Sequence, residues 1–189
     1  ASYAKALQVK PDYAEAYNNR GVLFKSLQKP QEAMSDYLRA LQISPRYAQA
    51  YNNLGNALHD LRRYPEALHS FEQALKFKPD YAEAFNNKGN VLKDMKRLDE
   101  ALACYRQFLD KAPDHAEALH MLGVAEFQRQ HFAQAADAIA RSIRLANHNP
   151  MSHFNYGNAC RALGRIDDAQ QAFGKAIALK PDYAEARMN

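Results

Sequence analysis

The sequence predicts an all-α fold, an α-solenoid in which antiparallel helix pairs stack side by side. Three observations predict it. Glycines recur every 34 residues, at Gly21, Gly55, Gly89, Gly123 and Gly157. Alanines keep the same period, at Ala33, Ala67, Ala101, Ala135 and Ala169. Each period also contains two stretches with apolar residues three and four positions apart, separated by a short polar break, which indicates one helical hairpin per period.

The repeats set the expected domain organisation. We expect a single array over residues 1–189, with full repeats at 14–47, 48–81, 82–115, 116–149 and 150–183. Residues 1–13 are expected to be a partial repeat, and residues 184–189 the start of a sixth. Because both ends fall inside repeats, we expect the chain to be an excerpt of a longer array.

The second repeat shows how the two helices of a hairpin are predicted. Its first helix has apolar residues at Ala50, Tyr51, Leu54, Leu58 and Leu61. Arg62 and Arg63 form the polar break. Its second helix has apolar residues at Ala67, Leu68, Phe71, Ala74 and Leu75. The glycine of the first helix and the alanine of the second are expected to let neighbouring helices approach closely.

Proline and acidic residues predict where the helices end and begin. A proline follows the second helix at Pro11, Pro45, Pro79, Pro113 and Pro181, where its ring and missing N–H oppose a further helical turn. The next residue is often an aspartate, at Asp12, Asp80, Asp114 and Asp182. A glutamate lies three positions further on, at Glu15, Glu83, Glu117 and Glu185. This spacing predicts an aspartate N-cap and a capping box at the start of the next first helix.

Composition and charge exclude several classes of protein. No apolar run approaches the roughly 18 residues that a membrane-spanning helix needs. The 25 basic and 21 acidic residues leave a net charge of +4, but their signs are interleaved, so nucleic acid is not an expected partner. Cys104 and Cys160 are far apart in sequence and form no metal-binding pair. A reducing compartment, the cytoplasm, is therefore expected.

The sequence predicts no catalytic site, and we expect no enzyme activity, cofactor or metal from this chain alone. The nearest histidine pairs, His115 with His120 and His148 with His153, lack the three- or four-residue spacing that brings two ligands to one helix face. The sequence also contains no nucleophile elbow, phosphate-binding loop or dinucleotide-binding glycine motif. The expected partner is a protein or peptide.

The order of residues within one period resembles the tetratricopeptide repeat family. In the second repeat this order is Tyr51, Leu54, Gly55, Ala67, Phe71, Ala74 and Pro79. The resemblance extends over essentially the whole chain. It implies a right-handed superhelix of antiparallel helix pairs, whose first helices line a concave groove that holds partner proteins or peptides.

Asparagines on the first helices are the candidate groove contacts. Those before the glycine are Asn18, Asn19, Asn52, Asn53, Asn86, Asn87 and Asn155. Those just after it are Asn56, Asn90 and Asn158. Each amide carries both donors and an acceptor, as an extended peptide backbone requires, so we expect an asparagine ladder that binds a peptide. The alternative is that these amides form hydrogen bonds between adjacent helices.

One stretch of the second repeat has a narrower resemblance. Asn53, Leu54, Gly55 and Asn56 resemble the repeat region of O-linked N-acetylglucosamine transferases, in which groove asparagines contact the substrate backbone. The resemblance implies an alternative function, the substrate-recognition arm of a larger enzyme. The 189 residues contain no glycosyltransferase catalytic region.

Apolar residues replace polar ones in the last two repeats. Met121, Val124, Phe127 and Phe154 form a candidate apolar anchor for a partner side chain. The alternative is that they cover a contact with a neighbouring copy or with another part of the chain. Phe173 and Ile177, on the last second helix, are expected to be uncovered. This predicts an end-to-end homo-oligomer, a self-assembling scaffold.

Overall fold

The computed structural model describes Leu7 and residues 9–182, and every regular element in this part of the chain is an α-helix. The all-α expectation is therefore confirmed. The helices are α1 Ala14–Ser26, α2 Pro30–Ile43, α3 Ala48–Asp60, α4 Tyr64–Phe77, α5 Ala82–Asp94, α6 Leu98–Leu109, α7 Ala116–Gln128, α8 Phe132–Leu145, α9 Pro150–Ala162 and α10 Ile166–Leu179. None of these helices is long and apolar enough to cross a membrane.

The helices form two compact units, residues 1–95 and 96–189. In the first unit, α1 packs on α2, α2 on α3, α3 on α4 and α4 on α5. In the second unit, the same succession runs from α6 to α10. The boundary lies between the two helices of the expected third repeat, so the single array over 1–189 stays a prediction. The expected sixth repeat, 184–189, lies outside the described residues.

Each first helix begins at the start of its expected repeat. The first residues of these helices are Ala14, Ala48, Ala82, Ala116 and Pro150. Within each unit, first helices also contact one another, α3 with α1 and α5, and α7 with α9. The helical hairpins are thus confirmed for the first, second, fourth and fifth repeats, and neighbouring first helices form one side of each unit.

The glycines of the first helices allow close packing of the second helices. A Cβ placed on Gly55 would lie 2.6 Å from Cε1 of Phe71, whose ring is fully buried. Gly21 has the same relation to Tyr37, at 2.6 Å. Because carbon atoms do not approach this closely, no side chain fits at these positions, and the expected close approach is confirmed.

The turn between the two helices of each hairpin contains one residue in the left-handed backbone region. These residues are Gln28, Arg62, Lys96, Gln130 and Gly164. Only the last is a glycine, which adopts this conformation without steric cost. The turn geometry is therefore kept in all five repeats, although four of the five turn residues are not glycine.

The predicted aspartate caps are wrong. The N-cap residues of α1 and α5 are Tyr13 and Tyr81, one position beyond the aspartate, and neither makes a side-chain cap bond. Asp12 lies in the turn that follows Pro11, so its carboxylate comes too early in the chain. Glu15 does not complete a capping box, because it accepts a hydrogen bond from the Tyr13 hydroxyl at 3.2 Å.

The remaining caps differ in kind. His115 caps α7, with Nδ1 accepting from the Ala118 N–H at 3.2 Å. Asn149 caps α9 by accepting from the Met151 N–H at 3.0 Å. The helix that would follow Asp182 lies outside the described residues. The residue pattern thus predicted N-caps at aspartates that do not cap their helices, and it did not predict the caps at His115 and Asn149.

Proline is not required to end a second helix. α4 ends at Phe77, two residues before Pro79, as expected. α8 also ends on the repeat period, at Leu145, although the equivalent residue there is Asn147. We infer that packing of the hairpin, with the proline in a supporting role, sets the length of this helix.

Candidate functional site

Asparagines in the first unit connect successive first helices. Asn53 Nδ2 donates to Asn18 Oδ1 at 2.9 Å, and Asn87 Nδ2 donates to Asn52 Oδ1 at 3.0 Å. Both bonds join residues 35 positions apart, because the first residue of one asparagine pair accepts from the second residue of the next pair. This 35-residue register bonds each first helix to the following one.

Asn18 and Asn52 are buried, so the packing of the first unit does not present them to a peptide, and their contact with one stays a prediction. Their carbonyl oxygens are already bonded to the next repeat. The alternative of hydrogen bonds between adjacent helices therefore describes these two residues. Asn86, their counterpart in the third repeat, is half-buried, and its Oδ1 has no hydrogen-bond partner among the described residues.

The second unit keeps the same register with a histidine as the acceptor. Asn155 Nδ2 lies 3.0 Å from His120 Nε2, and His120 Nδ1 lies 2.5 Å from the Ser152 hydroxyl. The amide nitrogen can only donate, so His120 Nε2 accepts and Nδ1 carries the proton. Burial lowers the pKa of His120, which favours this neutral form.

A cavity of about 250 Å³ lies beside this bond in the second unit. Val124, Phe127 and Gln128 of α7, Ile139 of α8, and Asn155 and Asn158 of α9 line it. Two of the expected anchor residues and two of the expected amides thus line one cavity. Phe127 also packs against Phe132, with 5.3 Å between ring centroids, which fixes the apolar wall.

The other two expected anchor residues do not line this cavity, and a four-residue anchor stays a prediction. Met121 lines a separate cavity with His120 and Met151. Phe154 packs on Phe173, with 5.8 Å between ring centroids. Phe173 itself is buried, so the expectation that it is uncovered is also wrong, while Ile177 is half-buried.

Charged residues at the ends of the first helices follow the same 35-residue register. Lys25 Nζ lies 3.4 Å from Asp60 Oδ2, and His59 Nε2 lies 2.8 Å from Asp94 Oδ2. Burial alone would raise the pKa of Asp94, but hydrogen bonds from Lys93 and His59 outweigh it and lower the pKa. These ion pairs were not predicted from the sequence, although oppositely charged residues 35 positions apart on successive first helices indicate them.

A buried carboxylate replaces an apolar residue in the fourth repeat. Glu126 stands where α1, α3 and α5 have Phe24, Leu58 and Leu92. It is 3% exposed, and its oxygens lie 2.8 Å from Arg106 Nη2 and 2.8 Å from His131 Nδ1. Both partners reach the surface, so Glu126 stays bonded without burying a second charge.

The described residues contain no group of three His, Cys, Asp or Glu side chains placed to hold a metal ion. The side chains of Cys104 and Cys160 are both buried.

Models of known protein families match most of the chain. Models described as tetratricopeptide repeat match residues 14–47, 48–81 and 86–150, and one described as TPR repeat matches residues 157–189. The chain belongs to the tetratricopeptide repeat family. The buried rings on Gly21, Gly55 and Gly157 are therefore packing contacts of tetratricopeptide repeats.

Solved structures of other tetratricopeptide repeat proteins have the same fold. YrrB, described as a TPR protein with an unusual peptide-binding site, is 23% identical, with a TM-score of 0.81 over 100% of this chain and 97% of its own. MamA of Desulfovibrio magneticus RS-1 is 23% identical, with a TM-score of 0.82 over 90% of this chain and 96% of its own. PilF of Pseudomonas aeruginosa is 22% identical, with a TM-score of 0.87 over 98% of this chain and 85% of its own.

These identities show the shared fold alone. A search of curated proteins gave no match. The resemblance to O-linked N-acetylglucosamine transferases gains no support from the structures that this tetratricopeptide repeat chain resembles.

Proposed function

We propose that this chain is a protein-interaction module that binds a peptide segment of a partner protein on the side formed by its first helices. The observation that carries the proposal is the cavity of about 250 Å³ lined by Val124, Phe127 and two asparagines. Its volume is below the roughly 300–1,000 Å³ of small-molecule sites, so it suits one apolar side chain of a peptide. The peptide-binding site in the description of YrrB supports the same role.

The two asparagines offer complementary groups to a peptide backbone. Asn155 Nδ2 donates to His120, which leaves its Oδ1 to accept from a peptide N–H. Asn158 Oδ1 accepts from Arg161 Nη2 at 3.2 Å, which leaves its Nδ2 to donate to a peptide C=O. The two residues are three positions apart on α9, so they lie on one helix face. An extended backbone would bond to both while its side chain enters the cavity.

The amides of the first unit have the same proposed role. Asn53 and Asn87 each use Nδ2 in the 35-residue register, so their Oδ1 atoms are assigned to peptide N–H groups. Asn19 is exposed beside them. Asn56 and Asn90 follow their glycines as Asn158 does, and they are assigned the same backbone contacts.

These contacts predict weak binding. A net hydrogen bond contributes about 0.5–1.5 kcal/mol, whereas association costs roughly 4–15 kcal/mol in lost freedom. One apolar side chain and a few amides therefore give a single peptide a Kd no tighter than about micromolar. Several linked segments in one partner would bind more tightly.

Titration of selected peptides tests the proposal. Peptides selected by display on the intact chain would be titrated by calorimetry against the wild type and Val124→Asp, which places a charge in the cavity. We expect Val124→Asp to weaken binding by about tenfold or more, since an unpaired carboxylate would lie against apolar walls. Val9→Asp, the same change at a valine that is 87% exposed and precedes α1, is the matched control. Equal binding by wild type and Val124→Asp would contradict the proposal.

The alternative role, as the substrate-recognition arm of a larger enzyme, rests on the local match from Asn53 to Asn56 alone. It would use the same peptide binding on behalf of an attached catalytic domain. Glycosyltransferase activity in the intact protein purified from its native source would support it.

Self-association and a cytoplasmic location stay predictions. With Phe173 buried, the exposed apolar residues of the last hairpin include Leu163, Ile166 and Leu179, at 38%, 53% and 41% exposure. Light scattering of the wild type and Ile166→Asp over a concentration series would test self-association. Cell fractionation would test the location.

A further inference from the structure

A second cavity lies on the other side of α9 in the second unit. Its volume is about 480 Å³, within the range of ligand-binding sites. Residues of α8, α9 and α10 line it, among them Ile143, Arg144, His153, Tyr156, Asp168 and Lys175. On α9, His153 is two positions from Asn155 and Tyr156 is two positions from Asn158, which is about 200° around the helix in each case. The cavity therefore opens away from the proposed groove.

His153 lines this cavity from a position that holds a larger aromatic ring in the first three repeats and Leu119 in the fourth. His153 occupies the position of Tyr17, Tyr51 and Phe85 in earlier repeats. In the second repeat, the Tyr51 ring stacks on Phe77 with 5.8 Å between centroids, whereas the fifth repeat has Leu179 in place of Phe77. His153 is smaller, and its Nε2 donates to the Asn147 carbonyl at 2.8 Å, which holds the imidazole in place.

The charges around the cavity are predominantly positive. Asp168 is neutralised by Arg165, whose Nη2 lies 2.7 Å from Asp168 Oδ2. Arg144 and Lys175 are exposed and make no ion pair with any described residue. They lie on α8 and α10, so the cations come from the two helices on either side of α9.

We propose that this cavity binds an acidic segment of a partner protein, with an apolar side chain over Ile143 and carboxylates paired with Arg144 and Lys175. Charge complementarity selects the occupant, because the apolar floor suits an aliphatic side chain and the cations suit carboxylates on either side of it. The proposal is independent of the peptide groove, since it uses the opposite side of α9.

Fluorescence anisotropy with a defined probe tests the proposal. The probe is a labelled peptide with one leucine flanked by glutamates, and the reference peptide has glutamines in their place. We expect the wild type to bind the glutamate peptide more tightly, with an affinity that falls as salt is added. Equal binding of the two peptides would overturn the proposal.

Two kinds of variant locate the binding. Arg144→Gln/Lys175→Gln should weaken the glutamate peptide roughly tenfold, as expected for two exposed ion pairs. The control Arg46→Gln/Lys111→Gln makes the same change in net charge at exposed residues outside the cavity and should leave the affinity unchanged. An equal loss in both double variants would overturn the proposal, because it would show that net charge alone attracts the peptide.

His153→Tyr tests the cavity without changing its cations. The larger ring, already present in the first and second repeats, should fill the space and abolish binding of the leucine-containing probe. If this variant does not fold, the charge variants still decide the question. If the wild type forms dimers that Arg144→Gln/Lys175→Gln dissociates, the occupant is a second copy and the acidic-segment proposal is overturned.

Discussion

Buried aromatic rings over helix glycines set the strictest requirements at the scale of single residues. The Phe71 ring lies where a Cβ on Gly55 would be, and it is fully buried, so it has no free space to move into. The 34-residue period of the glycines could be read from the sequence, and the close helix packing at Gly55 was expected from it. The sequence did not show which amide of each pair points inward, because adjacent residues on a helix differ by only about 100° in direction.

We predict that Gly55→Ala destabilises the protein by about 1–3 kcal/mol, the usual cost of overpacking a core. The added methyl would force apart α3 and α4. Urea denaturation measures the change, and Phe71→Leu in the same chain should restore part of the lost stability because it makes room. A Gly55→Ala variant as stable as the wild type would contradict the packing described for this pair.

His120 gives a prediction for pH. Its pKa in the folded protein is below the ordinary value of 6.5, so between these two values the unfolded chain binds more protons. Stability from the neutral ring is present above pH 6.5 and is lost as the pH falls through the lower, folded pKa. We expect the free energy of unfolding to decrease between about pH 7.5 and 5.5.

His120→Asn provides the comparison for this prediction. It places at 120 the residue found at 18, 52 and 86, whose carbonyl can accept from Asn155 but does not titrate. Urea denaturation at the two pH values should show a smaller loss in His120→Asn than in the wild type. Identical pH dependence in both proteins would show that His120 does not contribute.

At the scale of the element, each hairpin depends on one turn residue with a positive φ. In the last hairpin this residue is Gly164, with φ of 74°, and a Cβ there would meet nothing within 4 Å. Substitution at this position would therefore change backbone strain without causing a clash. Gly174, inside α10, also has open space around it but has no positive φ.

These two glycines form a matched pair for a test. Gly164→Ala should destabilise by about 1–2 kcal/mol, the cost of a left-handed residue with a side chain. Gly174→Ala should stabilise by about 0.5–1 kcal/mol, since alanine is the better helix former. Thermal unfolding monitored by circular dichroism gives both values. Changes of the same sign would show that backbone conformation is not the cause.

At the scale of the whole molecule, the positions of the helices could be predicted from the 34-residue period. Capping and individual side-chain contacts could not be predicted from it. The starts of first helices at Ala14, Ala48 and Ala82 follow from the 34-residue period. The aspartate caps failed because capping depends on a shift of one residue, which a periodic pattern does not resolve. Of the expected anchor residues, Val124 and Phe127 line one cavity. Phe154 instead packs on Phe173, a contact that could not be assigned from the sequence.

The 35-residue hydrogen-bond register has a consequence for how such a chain changes during evolution. The second repeat carries both the acceptor, Asn52, and the donor, Asn53, so a duplicated copy brings the groups needed to bond to the repeats before and after it. Whole repeats can therefore be gained or lost without leaving these bonds unpaired. Substitution of an acceptor keeps the bond where the new residue can still accept, and His120 shows that an imidazole meets this condition.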